Sequence, residues 1–587
     1  MAGLLIAWFL LGACAFTLGR TVLLALRAEG AFADPLDRMA IAVWLGLGTA
    51  ASLSLAAGLF GPVLLWAFLA PALVLAATGG RKFAAAFRLS GFQAGCCAAV
   101  LLVLAAHAAA SSVDAYDTAL YHQQAVSWLS HFGVVKGLAW LHFRLGWNSS
   151  WFALGAALNH GVLAGRVSPV LGGFATALGA LHWLLTLDRI ALRKARPADW
   201  YLLFTYPILL GAAWSWHYDV SLGPDLPAWI LCALTVWMVL VLRPAEAGFG
   251  ALSLPFLMAS LACSFKLSML PLLPFTLPLP FLLAKHPHRV RLAALAACLL
   301  PVLLALAANV KTSGCPLYPS PAARIPASWA VPASFAQLVS HQTTEFARWG
   351  AVGDRSGRGG AAWLLSWGER KDKAGLLGLA LLGAALLVRR WIAGRSRLVL
   401  WVLATGSAAL AFLFWGAPNP RFGLSFFLLF PATALALAAG RRQCGVLRLR
   451  PVVLTLAVTV IAAGVLGSGV PLGNRWLLPQ PMPGREGASV HVFNRASDRW
   501  TELRAARAVN GELRFLVPVA SDQCWDLPLP CTPELIDRRF RLRDRAAGFG
   551  AGFAGTQTRA SGSTSSHAAD PPAASAAATR NAALQPN

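Results

Sequence analysis

Apolar runs about as long as a bilayer-crossing helix recur along this chain, separated by short polar connections. They fall at residues 3–26, 39–58, 62–78, 91–110, 167–187, 200–214, 223–242, 250–265, 267–284, 291–309, 374–388, 398–415, 422–440 and 451–469. Most reach, or come just short of, the ~20 residues a helix needs to cross a membrane. The pattern predicts an all-α polytopic membrane protein with about 14 transmembrane helices.

The polar connections alternate in charge. Lys and Arg collect in the loops at 79–90 (Arg81, Lys82, Arg88), 188–199 (Arg189, Arg193, Lys194, Arg196), 285–291 (Lys285, Arg289, Arg291), 389–397 (Arg389, Arg390, Arg395, Arg397) and 441–450 (Arg441, Arg442, Arg448, Arg450). All five share one side of such a bundle, which the positive-inside rule assigns to the cytoplasm. The intervening loops at 111–166, 214–222, 310–373 and 416–422, and everything after residue 470, then face outward. The first run lacks a basic start and continues past Arg20, so it reads as an anchor and not as a cleaved signal.

Four regions follow: amino-terminal transmembrane hairpins at 1–90, a transmembrane core at 91–469 carrying the loops 111–166 and 310–373, a small extracytoplasmic α+β segment at 470–545, and a tail at 546–587. Within the third region LRFLVPV reads as a strand. Cys524 and Cys531 flank six residues there and predict a disulfide loop in an oxidising compartment, with two free thiols as the alternative. The tail has no apolar periodicity, and disorder is expected of it.

Composition sharpens this picture. Of 587 residues 57% are hydrophobic and only 12% are charged. The net charge of +25 would suggest a nucleic-acid partner in a soluble protein; here much of it lies in the short loops, so membrane orientation accounts for it and no nucleic acid is expected. Richness in Ala, Arg and Gly fits a bacterium, and the expected location is the inner membrane, multi-pass, with the carboxy-terminal segment in the periplasm. No P-loop, nucleophile elbow or dinucleotide fingerprint is present, which argues against a pump driven by nucleotide bound to this chain.

Chemistry concentrates in the loop after residue 110, where Asp114, Asp117, Tyr121, His122, Lys136, His142, Arg144 and Asn148 gather. Asp114, Asp117, Tyr121, Gln124 and Trp128 follow helical spacing, which predicts a helix on the membrane surface with its polar face toward a cavity. Other outward turns supply His217, Asp219 and Asp225 from WSWHYDVSLGPDLPAW, Lys266 from CSFKLS, Lys311 and Tyr318 from VKTSGCPLYPS, and Arg421 from GAPNPRFG. Charged groups at or within a membrane are costly and so are functional candidates. Blander roles compete at each position: Asp114 or Asp225 as a helix cap, the histidines as hydrogen-bonded structural residues, Arg421 as an interfacial anchor. No His/Cys/Asp spacing marks a metal site, and the metal ligands stay unassigned.

The patches DAYDTALYHQQ, GPDLPA, SGCPLYPS, PNPRFG and DQCWDLPLPCTP, in this order, resemble an uncharacterised family of bacterial multi-pass membrane proteins. The layout also looks like the GT-C class of polyprenyl-phosphate-dependent glycosyltransferases. That resemblance implies Asp114 or Asp117 as the catalytic acid, residues 115–131 and 149–161 as juxtamembrane helices, and GCPLYP as a loop motif of similar flavour. In that class the acidic loop usually follows the first span; here it follows the fourth, which makes three spans an amino-terminal addition.

The expectation is therefore an inner-membrane transferase taking a lipid-linked sugar donor to a glycan, lipid or protein acceptor. Lys266, Lys311 and Arg421 would hold the donor phosphate, while Tyr121, His122, His142, Arg144, His217, Asp219, Asp225 and Tyr318 would line the substrate site. A divalent metal, Mg or Mn, is the one cofactor such a carboxylate could face. The alternatives are a transporter or flippase of lipid-linked saccharides and a non-catalytic partner in envelope polysaccharide assembly.

Overall fold

The computed structural model describes residues 1–79, 92–242, 248–281, 288–350, 362–440, 450–467, 477–479, 481–483, 489–494, 499–510, 513–518, 522–532 and 540–555. The basic residues Arg81, Lys82, Arg88, Lys285, Arg441, Arg442 and Arg448, and the tail after residue 555, lie outside them. The protein is about 74% helical, with 18 α-helices among the described residues. Among the described residues six helices are long and apolar enough to cross a membrane: Ala2–Ala25, Pro35–Gly58, Val167–Ala191, Leu292–Ser313, Lys371–Gly394 and Arg397–Gly416. The architecture is that of an all-α membrane protein.

Each apolar run forms a single helix except 267–284. That stretch breaks into a 3₁₀ turn at Leu267–Met269, a short helix at Leu272–Thr276 and a second 3₁₀ turn at Leu279–Phe281. The cause is in the sequence: Pro271, Pro274, Pro278 and Pro280 remove four amide donors, and no regular helix survives such spacing.

The first two helices pack backbone to backbone. A Cβ at Gly19 would lie 1.7 Å from the Ala42 carbonyl oxygen, and one at Gly46 would lie 1.6 Å from that of Ala15. Ala15 with Gly19, and Ala42 with Gly46, are the small-xxx-small pairs that allow two membrane helices this approach.

One end of the bundle is closed by ion pairs. Arg189, at the end of Val167–Ala191, meets Asp34 at 3.0 Å and Asp199 at 2.7 Å and also pairs with Asp37. Arg196 reaches Asp37 at 2.7 Å and Asp199 at 2.8 Å. Two of the four cations expected to mark that loop's side are thus engaged with acids from neighbouring helix ends.

At the opposite end described residues from 477 to 555 pack against the bundle: Met482 N donates to the Gly165 carbonyl at 2.7 Å and Thr532 Oγ1 to the Leu141 carbonyl at 3.1 Å. Strands Ser489–Asn494, Arg499–Asn510 and Leu513–Pro518 form an antiparallel sheet in chain order, the last matching the LRFLVPV expectation. Cys524 and Cys531 are joined by a disulfide. Residues 546–555, expected to belong to the tail, are ordered: Phe553–Gly555 pairs with Phe540–Leu542, and Phe553 is buried. The aromatic side chains explain it, since Phe549 and Phe553 both pack edge-on against Trp128.

Candidate functional site

The loop after residue 110 does not form the regular surface helix its spacing predicts. Residues Thr118–His122 wind as a π turn before the helix Gln123–Phe132. A π turn holds one extra residue and re-aims the side chains around it. Polar bonds favour it here: Thr118 Oγ1 lies 2.6 Å from Ser221 Oγ and 3.3 Å from His122 Nδ1, drawing the chain toward the turn at 218–223.

The helix that follows is covered rather than surface-lying. Val126 and Leu129 face the core, while the polar side is capped by the disulfide loop. Gln124 Nε2 donates to the Trp525 and Leu527 carbonyls at 3.1 and 3.0 Å. Gln123 Nε2 and Ser127 Oγ both donate to Asp526 Oδ1, at 2.8 and 3.2 Å. Trp525 N donates to the Ala119 carbonyl at 2.7 Å. Gln124, expected to face a cavity, instead anchors the carboxy-terminal segment; Trp128 packs against that segment and also lines a small cavity with Leu138, Trp147 and Phe152. The stretch 149–161 expected as a second such helix is helical over Ser150–Leu158, capped by Ser149, whose hydroxyl accepts from Trp151 N at 3.1 Å.

Four charged side chains meet beside the π turn, each from a different part of the chain. Asp117 pairs with Arg421, whose guanidinium also reaches Asp225 Oδ2 at 3.3 Å. Asp225 pairs in turn with Lys266, so charges alternate along the row Asp117, Arg421, Asp225, Lys266. Arg421 sits in the turn Pro420–Phe422, fixed by Asn419 Oδ1 accepting from Arg421 N at 3.1 Å. Lys266 terminates Phe249–Phe265, and Ser268 Oγ binds the Phe422 carbonyl at 2.6 Å, locking the two turns together. Asp225 opens its helix without a side-chain cap bond; its carboxylate serves the ion row instead. Arg421 lies over the Tyr218 ring at 5.4 Å and Lys266 over Phe422 at 4.8 Å.

Exposure is uneven along this row. The Asp225 side chain is 2% exposed and Lys266 18%, whereas Asp117 keeps 22% and Arg421 27%. Asp117 and Arg421 form its accessible edge, beside Tyr121, which meets Trp147 at 5.7 Å and Phe152 at 6.3 Å. Burial pushes the Asp117 carboxyl upward, but Arg421, and behind it His122 and Arg144, outweigh that and hold it down at about 2. Burial holds His122 down at about 4, so the ring is neutral near pH 7.

A second group lies next to the first. His217 Nδ1 is 3.3 Å from Asp114 Oδ1. Asp219, buried in the turn Tyr218–Val220, is pushed up to about 7 by burial and by the nearby Asp114 charge. Asp114 therefore stands with His217 and Asp219, apart from the row that holds Asp117.

The other candidates divide. Arg144 lies over the Phe143 ring at 4.5 Å and is close enough to act on Asp117. His142 is buried at 5.1 Å from Phe143, and burial holds it well below the ordinary histidine value. Tyr318 packs its ring against Gly146. Lys311 does not join the ion row: its ammonium donates to the Leu59 carbonyl at 2.5 Å, and its charged neighbour is Lys136. Its position at the end of His288–Ser313 carries it to that other contact. Tyr218, Asp526 and the Tyr116–Asp522 pair escaped the sequence reading, although Tyr218 sits inside WSWHYD and the two acids flank Cys524.

Among the described residues no group of three or more His, Cys, Asp and Glu converges to hold a metal ion. Asp117 and Asp225 each already face a cation, so this donor set does not fit a metal.

A family model described as Domain of unknown function (DUF8201) matches residues 1–428, which include the whole ion row. No curated protein and no solved structure matches the chain.

Proposed function

The chain belongs to that family, and on this premise we propose that it is a GT-C-type integral membrane glycosyltransferase. It moves a sugar from a polyprenyl-phosphate donor to an envelope glycan, lipid or protein acceptor, on the periplasmic face of a bacterial inner membrane. The observation that carries the reading is the Asp117–Arg421 pair: an accessible acid and guanidinium held against each other where two juxtamembrane helices meet the bundle end. The fourteen apolar runs, thirteen of them single helices, support a span count near 14.

In this reading Asp117 is the catalytic carboxylate and Asp114 is not. Asp117 is ionised at neutral pH, so it orients the acceptor hydroxyl and accepts its proton as the oxygen attacks the sugar carbon. A carboxylate held near 2 is a weak base, and its main contribution is to position the nucleophile and offset positive charge developing on the sugar. Arg421 and Arg144 supply the positive charge that a departing lipid phosphate needs, Arg421 with a planar fork suited to two phosphate oxygens. Tyr121 and Trp147 offer aromatic faces beside the acid.

The test compares surface glycans and lipid-linked intermediates in a deletion strain carrying either wild-type protein or Asp117→Asn. The variant is expected to insert in the membrane at wild-type level, yet leave the glycan one sugar short with donor accumulating. Asp117→Glu should restore part of the product. A wild-type glycan profile from Asp117→Asn refutes the assignment.

A further inference from the structure

Away from the ion row, at the same end of the bundle, two cations meet over one indole and a third lies beside them. Lys136 Nζ lies 5.1 Å from the Trp329 ring centre and the Arg543 guanidinium 5.4 Å from it. Lys311 is close enough to Lys136 for their charges to repel. The three come from separate stretches: the loop after Gln123–Phe132, the end of His288–Ser313 and the carboxy-terminal hairpin. Backbone bonds hold them in place, Gly137 N to the Lys311 carbonyl at 3.0 Å and Phe553 N to the Lys136 carbonyl at 2.8 Å. Trp329 is fixed by its own Nε1 donating to the Val310 carbonyl at 3.2 Å and by Trp140 Nε1 donating to its carbonyl at 3.0 Å.

Among the described residues no carboxylate lies within ion-pairing distance of Lys136, Lys311 or Arg543. The adjacent Asp544 is turned to its own backbone, accepting from Ala546 N at 2.8 Å and Ala547 N at 3.3 Å. Bringing three like charges together costs free energy that a multivalent anion would recover.

The position of the patch identifies the anion. Lys311 binds the Leu59 carbonyl, at the end of the spanning helix Pro35–Gly58. The next residue, Phe60, is 92% exposed, and Leu64, Leu65 and Trp66 continue that apolar surface. Cations, an indole and a bare apolar strip thus meet where a membrane helix ends, the level of lipid headgroups.

We infer that Lys136, Lys311, Arg543 and Trp329 form a binding site for the phosphate of an anionic lipid headgroup, whose acyl chains lie along the Phe60–Trp66 surface. The site requires the chain to be embedded in a bilayer and does not depend on the transferase reading.

Native mass spectrometry of the delipidated full chain, titrated with phosphatidic acid or phosphatidylcholine of equal acyl length, tests it. Phosphatidic acid should be retained in clear preference. A cation near a membrane surface contributes about 1 kcal/mol, or about fivefold. Lys136→Gln and Arg543→Gln should each lower retention about fivefold, and the double variant about 25-fold if their effects are independent. Lys136→Arg should retain it, and Lys371→Gln, an exposed lysine elsewhere, should change nothing. Equal retention of the two lipids, or an equal loss in Lys371→Gln, overturns the site. Displacement of phosphatidic acid by equimolar inorganic phosphate overturns the lipid assignment in favour of a soluble phosphate ester.

Discussion

Arg421 bridges Asp117 and Asp225, while Asp117 has Arg421 as its paired cation and Asp225 also has Lys266. This asymmetry predicts unequal costs for breaking the Asp117–Arg421 pair from its two sides. Arg421→Gln leaves Asp117 without its nearest cation and Asp225 with Lys266 alone; stranding a fully buried charge costs about 3–5 kcal/mol, and the partial exposure of Asp117 places this loss near the lower end. Asp117→Asn leaves Arg421 still held by Asp225 at 3.3 Å, and the loss is about one charge-assisted hydrogen bond, about 1.5–3 kcal/mol. The double variant should cost less than the sum by about 1–3 kcal/mol, because the contact is lost only once. Reversible unfolding in mixed micelles, followed by the fluorescence of 23 tryptophans, measures all four proteins. Acid should act like Asp117→Asn. The folded carboxyl is held at about 2, below its ordinary 3.8, so its contribution is present above pH 3.8 and fades as pH falls through 2. Additivity within about 0.5 kcal/mol, or Asp117→Asn costing more than Arg421→Gln, would refute this account of the row.

Asp219 has the opposite sign. Its folded carboxyl is raised to about 7 from 3.8, so its favourable contribution is whole below pH 3.8 and is lost as pH rises to 7, about 4 kcal/mol in all. Asp219→Asn should therefore be more stable than wild type at pH 8 and equal to it at pH 4; thermal scans showing the same gap at both values would contradict this. Cys524→Ser with Cys531→Ser should cost about 2–3 kcal/mol and speed amide exchange in residues 116–127, which the loop covers, but not in 150–158. Unchanged exchange at 116–127 would show that the disulfide does not brace the π turn.

Much of this molecule is readable from apolar spacing, because a helix in hydrocarbon must satisfy its own backbone and so keeps its length and period. The run at 267–284 was misleading since hydropathy counts proline as tolerable, whereas four of them within ten residues deny the helix its donors. The convergence of Asp117, Asp225, Lys266 and Arg421 was legible because each charge lies in a turn or loop that adjoins an apolar run on the outward side. Lys311 looked the same by that test, and its rotation on the end of its helix, which no linear pattern fixes, sends it to Leu59. The separation of Asp114 from Asp117 was hidden for a related reason: a π turn shifts the facing of residues that regular helical spacing would group. Residues 546–555 looked tail-like because their order depends on Trp128, more than 400 positions earlier.

The disulfide loop has a practical consequence for how the protein is handled. The family match ends at residue 428, so a shortened version stopping there would keep every member of the ion row. It would also be unroofed: Gln123, Gln124 and Ser127 would lose their acceptors, and Trp128 would lose the rings of Phe549 and Phe553 that cover it. Activity missing from such a fragment would report the absent lid and the lost helix segments of Leu424–Ala439 and Arg450–Gly467, and say nothing about Asp117.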